Sequence, residues 1–383
     1  MNSRPISSAE RTTRVQTLMQ QVGAHFSQGR NAEALAIAEQ ALALAPGHPD
    51  LLNMAGACAF RCGQAEAAER YWLKAVRLTP KPAALHGNLG VLFASTGRIA
   101  EAEVHYRRAV ALAPDSAMAV YNLGLLLARR GDAAEAERCY RRALALNPND
   151  ANAEYNLGLL LAAAGRDTDA EQSFRRAIAI TPNFADALHN LGAILLKSGC
   201  REEAEAVFRR AILLEPGNAA SHHSLGLVLS HLERDAEAED SLRRALSLQP
   251  DHVGALVALG VALARRGETA QAEAQYRRAL AIDPAAVDGH YNLGLLLAAR
   301  GEPEAAMQSY RAALSTNPGH LDARYNLGVL LAEIGCHDEA ETCYREVLDR
   351  DSAVAQAARN LAGLLLRREQ YEEGWKYFEA RHS

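Results

Sequence analysis

Seven asparagines recur at one register of this chain: Asn88, Asn122, Asn156, Asn190, Asn292, Asn326 and Asn360. Four of them sit in the tetrapeptide YNLG, which from Tyr121 to Gly131 runs on as YNLGLLLARRG. The stretch is rich in Leu and Ala and reads as a packed helix, where asparagine is a poor choice because its side chain competes for backbone hydrogen bonds. Its amide offers donors and an acceptor together, so one asparagine can donate to and accept from an extended peptide backbone. A row of such amides would hold a peptide with little regard for its sequence. The other role that fits is a bond from each asparagine to its neighbouring segment, ordering the stack. The peptide-facing role is favoured, and the two are not exclusive. The row breaks at Ser224 and Ala258.

No other residue set points to chemistry. Of the six cysteines, Cys58 and Cys62 lie four apart and share a helix face, but a structural zinc site wants four ligands. The six are expected to be reduced thiols filling small packing positions. His222 and His223 are adjacent, so they point about 100° apart on a helix and cannot chelate together. His189 and His223 occupy the slot that holds tyrosine in YNLG. No phosphate-binding loop, GxSxG elbow, HExxH or dinucleotide fingerprint occurs. An active site normally interrupts a repeat pattern, and nothing here does so strongly. The expectation is a non-catalytic chain with no metal and no cofactor.

The elements that position the asparagines follow from self-similarity. The four YNLG copies are spaced by multiples of 34 residues, and HNLG, HSLG, VALG and GNLG fill the intermediate slots. In the same frame an alanine recurs from Ala34 to Ala340, followed four residues later by a large residue such as Trp72, Tyr106, Phe174 or Tyr276. A second alanine comes three later, and a proline closes each unit from Pro46 to Pro318. Each unit therefore reads as two helices of about 14 residues, roughly 21 Å each. Gly97, Gly131, Gly165 and Gly267 are placed to end first helices in the left-handed conformation. The prolines end the second helices. Asp115, Asn149, Asn183 and Asp251 are expected to cap the helices that follow. One such pair cannot bury its apolar face alone, so the units must stack. Ten units span 15–354, with a tail at 1–14 and a partial unit with capping helices at 355–383.

Numbered from the first residue of each unit, so that Ala117 is position 1 of repeat four, positions 4, 7, 8 and 11 form one packing stripe: Val120, Leu123, Gly124 and Leu127. Asparagine is position 6, on roughly the opposite side with Met118, Leu125 and Arg129. The second helices carry Glu-first pairs at i,i+4, from Glu103–Arg107 to Glu341–Arg345, each contributing about 0.2–0.5 kcal/mol and reading as a solvated face.

The formal charge of −5 lacks the basic footprint of a nucleic-acid binder. No apolar run is long enough to span a bilayer. The opening MNSRPISSAERTTR has no apolar core and is expected to be a short loose tail rather than a secretory signal, which favours a cytoplasmic protein.

The 34-residue period and the small-large-small order resemble the tetratricopeptide repeat (TPR). The resemblance implies an all-α solenoid of antiparallel helix pairs in a right-handed superhelix, with first helices lining a concave groove that binds a protein or extended peptide. Two departures are visible. Leu127, Leu161, Leu297 and Leu331 stand where the family often has tyrosine, and Gln21-Val22 replaces Leu-Gly in repeat one. Runs with asparagine before Leu-Gly look like the repeat portion of O-linked N-acetylglucosamine transferases, whose asparagine ladder is associated with gripping protein substrates. The C-terminal unit, with Gly374, Trp375, Tyr377, Phe378, Glu379 and Arg381, resembles the junction where bacterial TPR units run into a glycosyltransferase-like domain. The sequence is expected to be the repeat part of a longer protein, the alternative being a final capping helix. Three roles follow as expectations: an interaction scaffold, the substrate-recruiting part of a glycosyltransferase, and a scaffold that self-associates through its repeat ends.

Overall fold

A computed structural model describes residues 7–351 and 353–380, which form 22 α-helices and, among those residues, no strand. The chain divides into two compact units, Met1–Ala187 and Leu188–Ser383, each a stack of two-helix repeats. A representative first helix is Ala151–Ala163 and a representative second helix Ala133–Leu146.

The small-large pattern is the clamp that closes each repeat. The first recurring alanine is fully buried in every repeat from Ala34 to Ala340. The Gly of NLG lies against the large residue of its own second helix: a Cβ on Gly158 would come within 2.6 Å of Phe174 Cε1, and one on Gly90 within 2.5 Å of Tyr106 Cε1. Glycine is therefore required here by close approach. Repeat one has Val22 in place of that glycine and Ala38 in place of the large residue, and both are fully buried.

The turn between helices also follows the sequence. Gly97, Gly131, Gly165 and Gly267 have φ of 77, 92, 72 and 81°, the left-handed region where a side chain is strained. Repeats seven and eleven lack this glycine and force Glu233 and Glu369 to φ of 60 and 62°.

The N-caps differ from expectation by one residue. Ser116, Asp150, Asn218 and His252 accept from the backbone N–H of Ala119, Ala153, Ser221 and Ala255, where Asp115, Asn149 and Asp251 were expected to cap. A cap must stand directly before the first helical residue. The residue after the proline is one step too early, and so is Asn183, because the next helix begins at Ala185.

The N-terminal tail is shorter than expected. Helix Ser8–Ser27 already covers residues 8–14. Ser7 caps it in a reciprocal box: Glu10 N–H donates to Ser7 Oγ at 3.2 Å and Ser7 N–H to the Glu10 carboxylate at 2.9 Å. Residues 1–6 of that tail, and Arg381, lie outside the described residues. Two cysteines also depart from the packing role. Cys58 and Cys343 are buried, but Cys200 and Cys336 are exposed at the N-cap positions of second helices.

Successive first helices touch one another within each unit, Ala83–Ser95 with Ala117–Arg130 and Val253–Arg265 with Val287–Ala299 among them. The backbones of successive second helices do not approach as closely among the described residues, and those helices meet only through long side chains such as Arg107–Glu135 at 2.9 Å and Arg345–Glu373 at 2.7 Å. Within each unit the first helices therefore take the inner side of the bend. No described helix is long and apolar enough to cross a membrane.

Candidate peptide-binding face

The ladder positions are half-buried, off the packing stripe and on the side where first helices meet. For Asn156 and Asn360 the residue that places the asparagine is the tyrosine at position 5 of the preceding repeat. Its ring is anchored on the large residue of its own second helix, with centroids 6.0 Å apart for Tyr121–Tyr140 and 6.1 Å for Tyr325–Tyr344. In three repeats a ring at position 34 packs on it as well: Phe184 on Tyr155, His252 on His223 and His320 on Tyr291, at 4.7–4.8 Å. Burial raises the Tyr121 and Tyr291 phenol pKa values, so both stay neutral at physiological pH.

The asparagine amide then bonds backwards to this anchored ring. Asn156 Nδ2 donates to Tyr121 Oη at 2.9 Å, and Asn360 Nδ2 to Tyr325 Oη at 3.2 Å. In repeat three Asn88 Nδ2 donates to Asn53 Oδ1 at 3.0 Å, because Asn53 holds position 5 of repeat two. Asn156 Nδ2 also donates to its own helix, to the carbonyl of Asn152 at 2.8 Å.

Both amide hydrogens of Asn156 are thus taken, and its Oδ1 is the polar atom left over. At Asn156 the donor end is engaged inside the chain, where the expectation was that it could donate and accept outward at once, and the acceptor end remains. The same orientation holds for Asn88, Asn292 and Asn360, where Nδ2 is the engaged atom. Asn122 follows Gly87, which offers no side-chain acceptor at position 5. Asn190 and Tyr155 both make interactions.

Cavities lie along this face. One of about 230 Å³ borders Asn122, and one of about 280 Å³ borders Asn360. At the break in the ladder the cavity grows to about 720 Å³, beside Val257 and Ala258.

The second helices present a different surface. All seven expected i,i+4 pairs form. The sequence reading missed the second partner. An arginine at position 14 or 16 of the next repeat reaches the same glutamate: Arg166 to Glu137 at 2.9 Å, Arg234 to Glu205 at 2.7 Å, and Arg368 to Glu341 at 2.8 Å. Arg130–Glu103, Arg266–Glu239 and Arg300–Glu273 pair in the same way. The signal was in the sequence as arginines 27 or 29 residues downstream of each glutamate. Among the described residues no cluster of three or more His, Cys, Asp or Glu is placed to hold a metal.

Comparison with known proteins follows the geometry. Models described as tetratricopeptide repeat match residues 25–89, 83–116, 121–185, 185–218, 217–285, 257–320 and 297–361. No curated protein matches the sequence significantly. Among solved structures, yeast Tom70 is 16% identical with a TM-score of 0.50, covering 97% of this chain and 92% of its own. YrrB, described as a TPR protein with an unusual peptide-binding site, is 26% identical with a TM-score of 0.40, covering 48% of this chain and 95% of its own. Pseudomonas aeruginosa PilF is 22% identical with a TM-score of 0.47, covering 54% and 95%. Tom70 supports the fold alone. The period, the glycine-aromatic clamp and the run of matches across residues 25–361 place this chain in the tetratricopeptide repeat family, as a protein-interaction scaffold.

Proposed function

We propose that the chain binds an extended peptide segment of a protein partner along the first-helix face, with ladder Oδ1 atoms accepting from the partner's backbone N–H groups. The observation that carries this reading is the amide of Asn156. Both of its N–H groups are held inside the stack, at Tyr121 Oη and the Asn152 carbonyl, and its acceptor is left over. An acceptor fixed in advance costs little entropy to use, so a row of them would add affinity without sequence preference.

The test replaces Asn122, Asn156, Asn190 and Asn326 together by Ala and titrates the folded protein with peptides selected from a random library on the wild type. The expected result is at least about thirtyfold weaker binding, from four lost hydrogen bonds of about 0.5–1.5 kcal/mol each, with helicity largely retained. A variant that melts far earlier yet binds normally once folded makes the asparagines structural only.

Substrate recruitment for a glycosyltransferase is a second reading. It is favoured by the uncovered C-terminal aromatics, Tyr371 at 57% and Trp375 at 51% exposure. A reading frame that continues past Ser383 into a glycosyltransferase domain would support it, and one that stops would remove it. Self-association is tested by light scattering across concentration, where a constant monomer mass excludes it.

A further inference from the structure

Repeat eight alters the first-helix face at three positions together. It holds Gly254, Val257 and Ala258 where repeat nine holds Asp288, Tyr291 and Asn292. Three side chains of the binding face are cut back in one helix, and the cavity of about 720 Å³ opens over them. Its apolar walls are Leu227, Val253, Val257, Ala258, Val261 and Val287.

The missing tyrosine has a second effect. Val257 offers no hydroxyl, so of the two bonds that Asn156 makes Asn292 Nδ2 keeps the one to its own helix, donating to the Asp288 carbonyl at 2.8 Å. The polar rim is also uneven. Arg265 lines the cavity but is engaged, donating to the Ser230 carbonyl at 2.8 Å and lying 3.6 Å from Asp235. Asp283 accepts from Ala285 N–H at 2.9 Å. Asp288 is exposed, and among the described residues no cation pairs with it. His223 is half-buried beside His252 and neutral, since that partial burial lowers its pKa to about 4. The mouth is therefore acidic over an apolar floor.

We propose that this cavity takes one bulky apolar side chain of the bound peptide, with a lysine or arginine next to it in the peptide lying against Asp288. The gap in the ladder is then the place where a sequence-tolerant grip becomes selective. Backbone acceptors hold the peptide on either side, and the cavity chooses its register. The proposal rests on the peptide-binding reading above.

The experiment selects peptides from a random twelve-residue display library on the full chain, then on Val257→Tyr/Ala258→Asn. That double variant restores the residues repeat nine carries at the same positions, so it is expected to fold, with circular dichroism as the check. Wild-type peptides should share a Leu, Ile, Met or Phe beside a Lys or Arg. Replacing the apolar residue by Ala in a synthetic consensus peptide should weaken wild-type binding about tenfold to a hundredfold. On the double variant that difference should vanish. Asp288→Asn should weaken the basic peptide about threefold, as for an exposed ion pair.

Two results overturn the cavity proposal and leave the ladder standing. One is peptides that lose affinity on Asn292→Ala/Asn326→Ala yet share no apolar residue and bind the double variant unchanged. The other is a dimer of the wild type that the double variant disperses, which makes a second copy the occupant. If no peptide is enriched, or none responds to the asparagine changes, the ladder reading falls and this proposal falls with it.

Discussion

The two helical faces of each repeat carry polar ladders with opposite bookkeeping. On the second helices every ladder glutamate from Glu103 to Glu341 that forms an i,i+4 pair is also reached from the next repeat, except Glu171, for which no second partner is described. Charges there answer one another, and the surface has little left to offer a partner. On the first helices Asn88, Asn156 and Asn360 donate to the preceding repeat and leave an acceptor. A repeat protein needs both kinds of face. A satisfied one keeps the array soluble and joins repeat to repeat, and an incompletely satisfied one makes contacts outside the chain.

The contrast can be broken or sharpened by substitution. The largest stability change is expected at the clamp both faces share. Gly158→Ala puts a Cβ within 2.6 Å of Phe174, and overpacking of this kind costs about 1–3 kcal/mol. Gly124→Ala meets Tyr140 and Cys139 only at 3.0 Å and should cost less. Denaturant midpoints for the two variants decide it, and equal losses would remove the clamp explanation.

The next effect is on pH. An unfolded histidine binds its proton near pH 6.5, whereas burial and neighbouring His252 hold folded His223 down to about 4. Between those values the unfolded chain binds more protons, so stability falls as the pH drops through that window. The His223 contribution is at most about 3 kcal/mol, and less for its partial contact with water. Burial also lowers His86 and His105, which act in the same direction. Melting at pH 7 and pH 5 should show the drop, and His223→Tyr should reduce it. A melting temperature indifferent to pH would contradict the account.

Tyr121→Phe with Tyr325→Phe removes the acceptors for Asn156 and Asn360 and should cost about 1 kcal/mol each in thermal or chemical unfolding. The smallest change is on the second helices. Glu137→Gln unlinks Arg141 and Arg166 for no more than about 1 kcal/mol, an effect that shrinks as salt is raised. A loss there larger than at the tyrosines would reverse the comparison.

Most of the fold was legible because it is periodic. The alanine, aromatic, glycine and proline positions report burial, close approach and chain reversal directly, and the asparagines were found because they break helix propensity at a fixed register. What was hidden depends on how one repeat is set against the next. The bond from Asn156 to Tyr121 joins position 6 to position 5 across 35 residues, and no single-helix pattern predicts it. The bridging arginines stand at position 14 in some repeats and 16 in others, so a strict 34-residue comparison misses them. The caps were misplaced by one residue because the proline marks the end of one helix and only loosely the start of the next. The widened cavity at repeat eight was foreshadowed by Ser224 and Ala258, but its size depends on Gly254 and Val257 being small in the same helix.

The central claim is that the asparagine acceptors hold a partner while their donors hold the stack. The most direct measurement is calorimetric titration of one library-selected peptide into three folded proteins: wild type, the quadruple Asn→Ala variant, and Tyr121→Phe/Tyr325→Phe. The account predicts at least about a thirtyfold loss for the asparagine variant and less than about threefold for the tyrosine variant, although both are destabilised. Equal affinity in all three, or an equal loss in both variants, would contradict it.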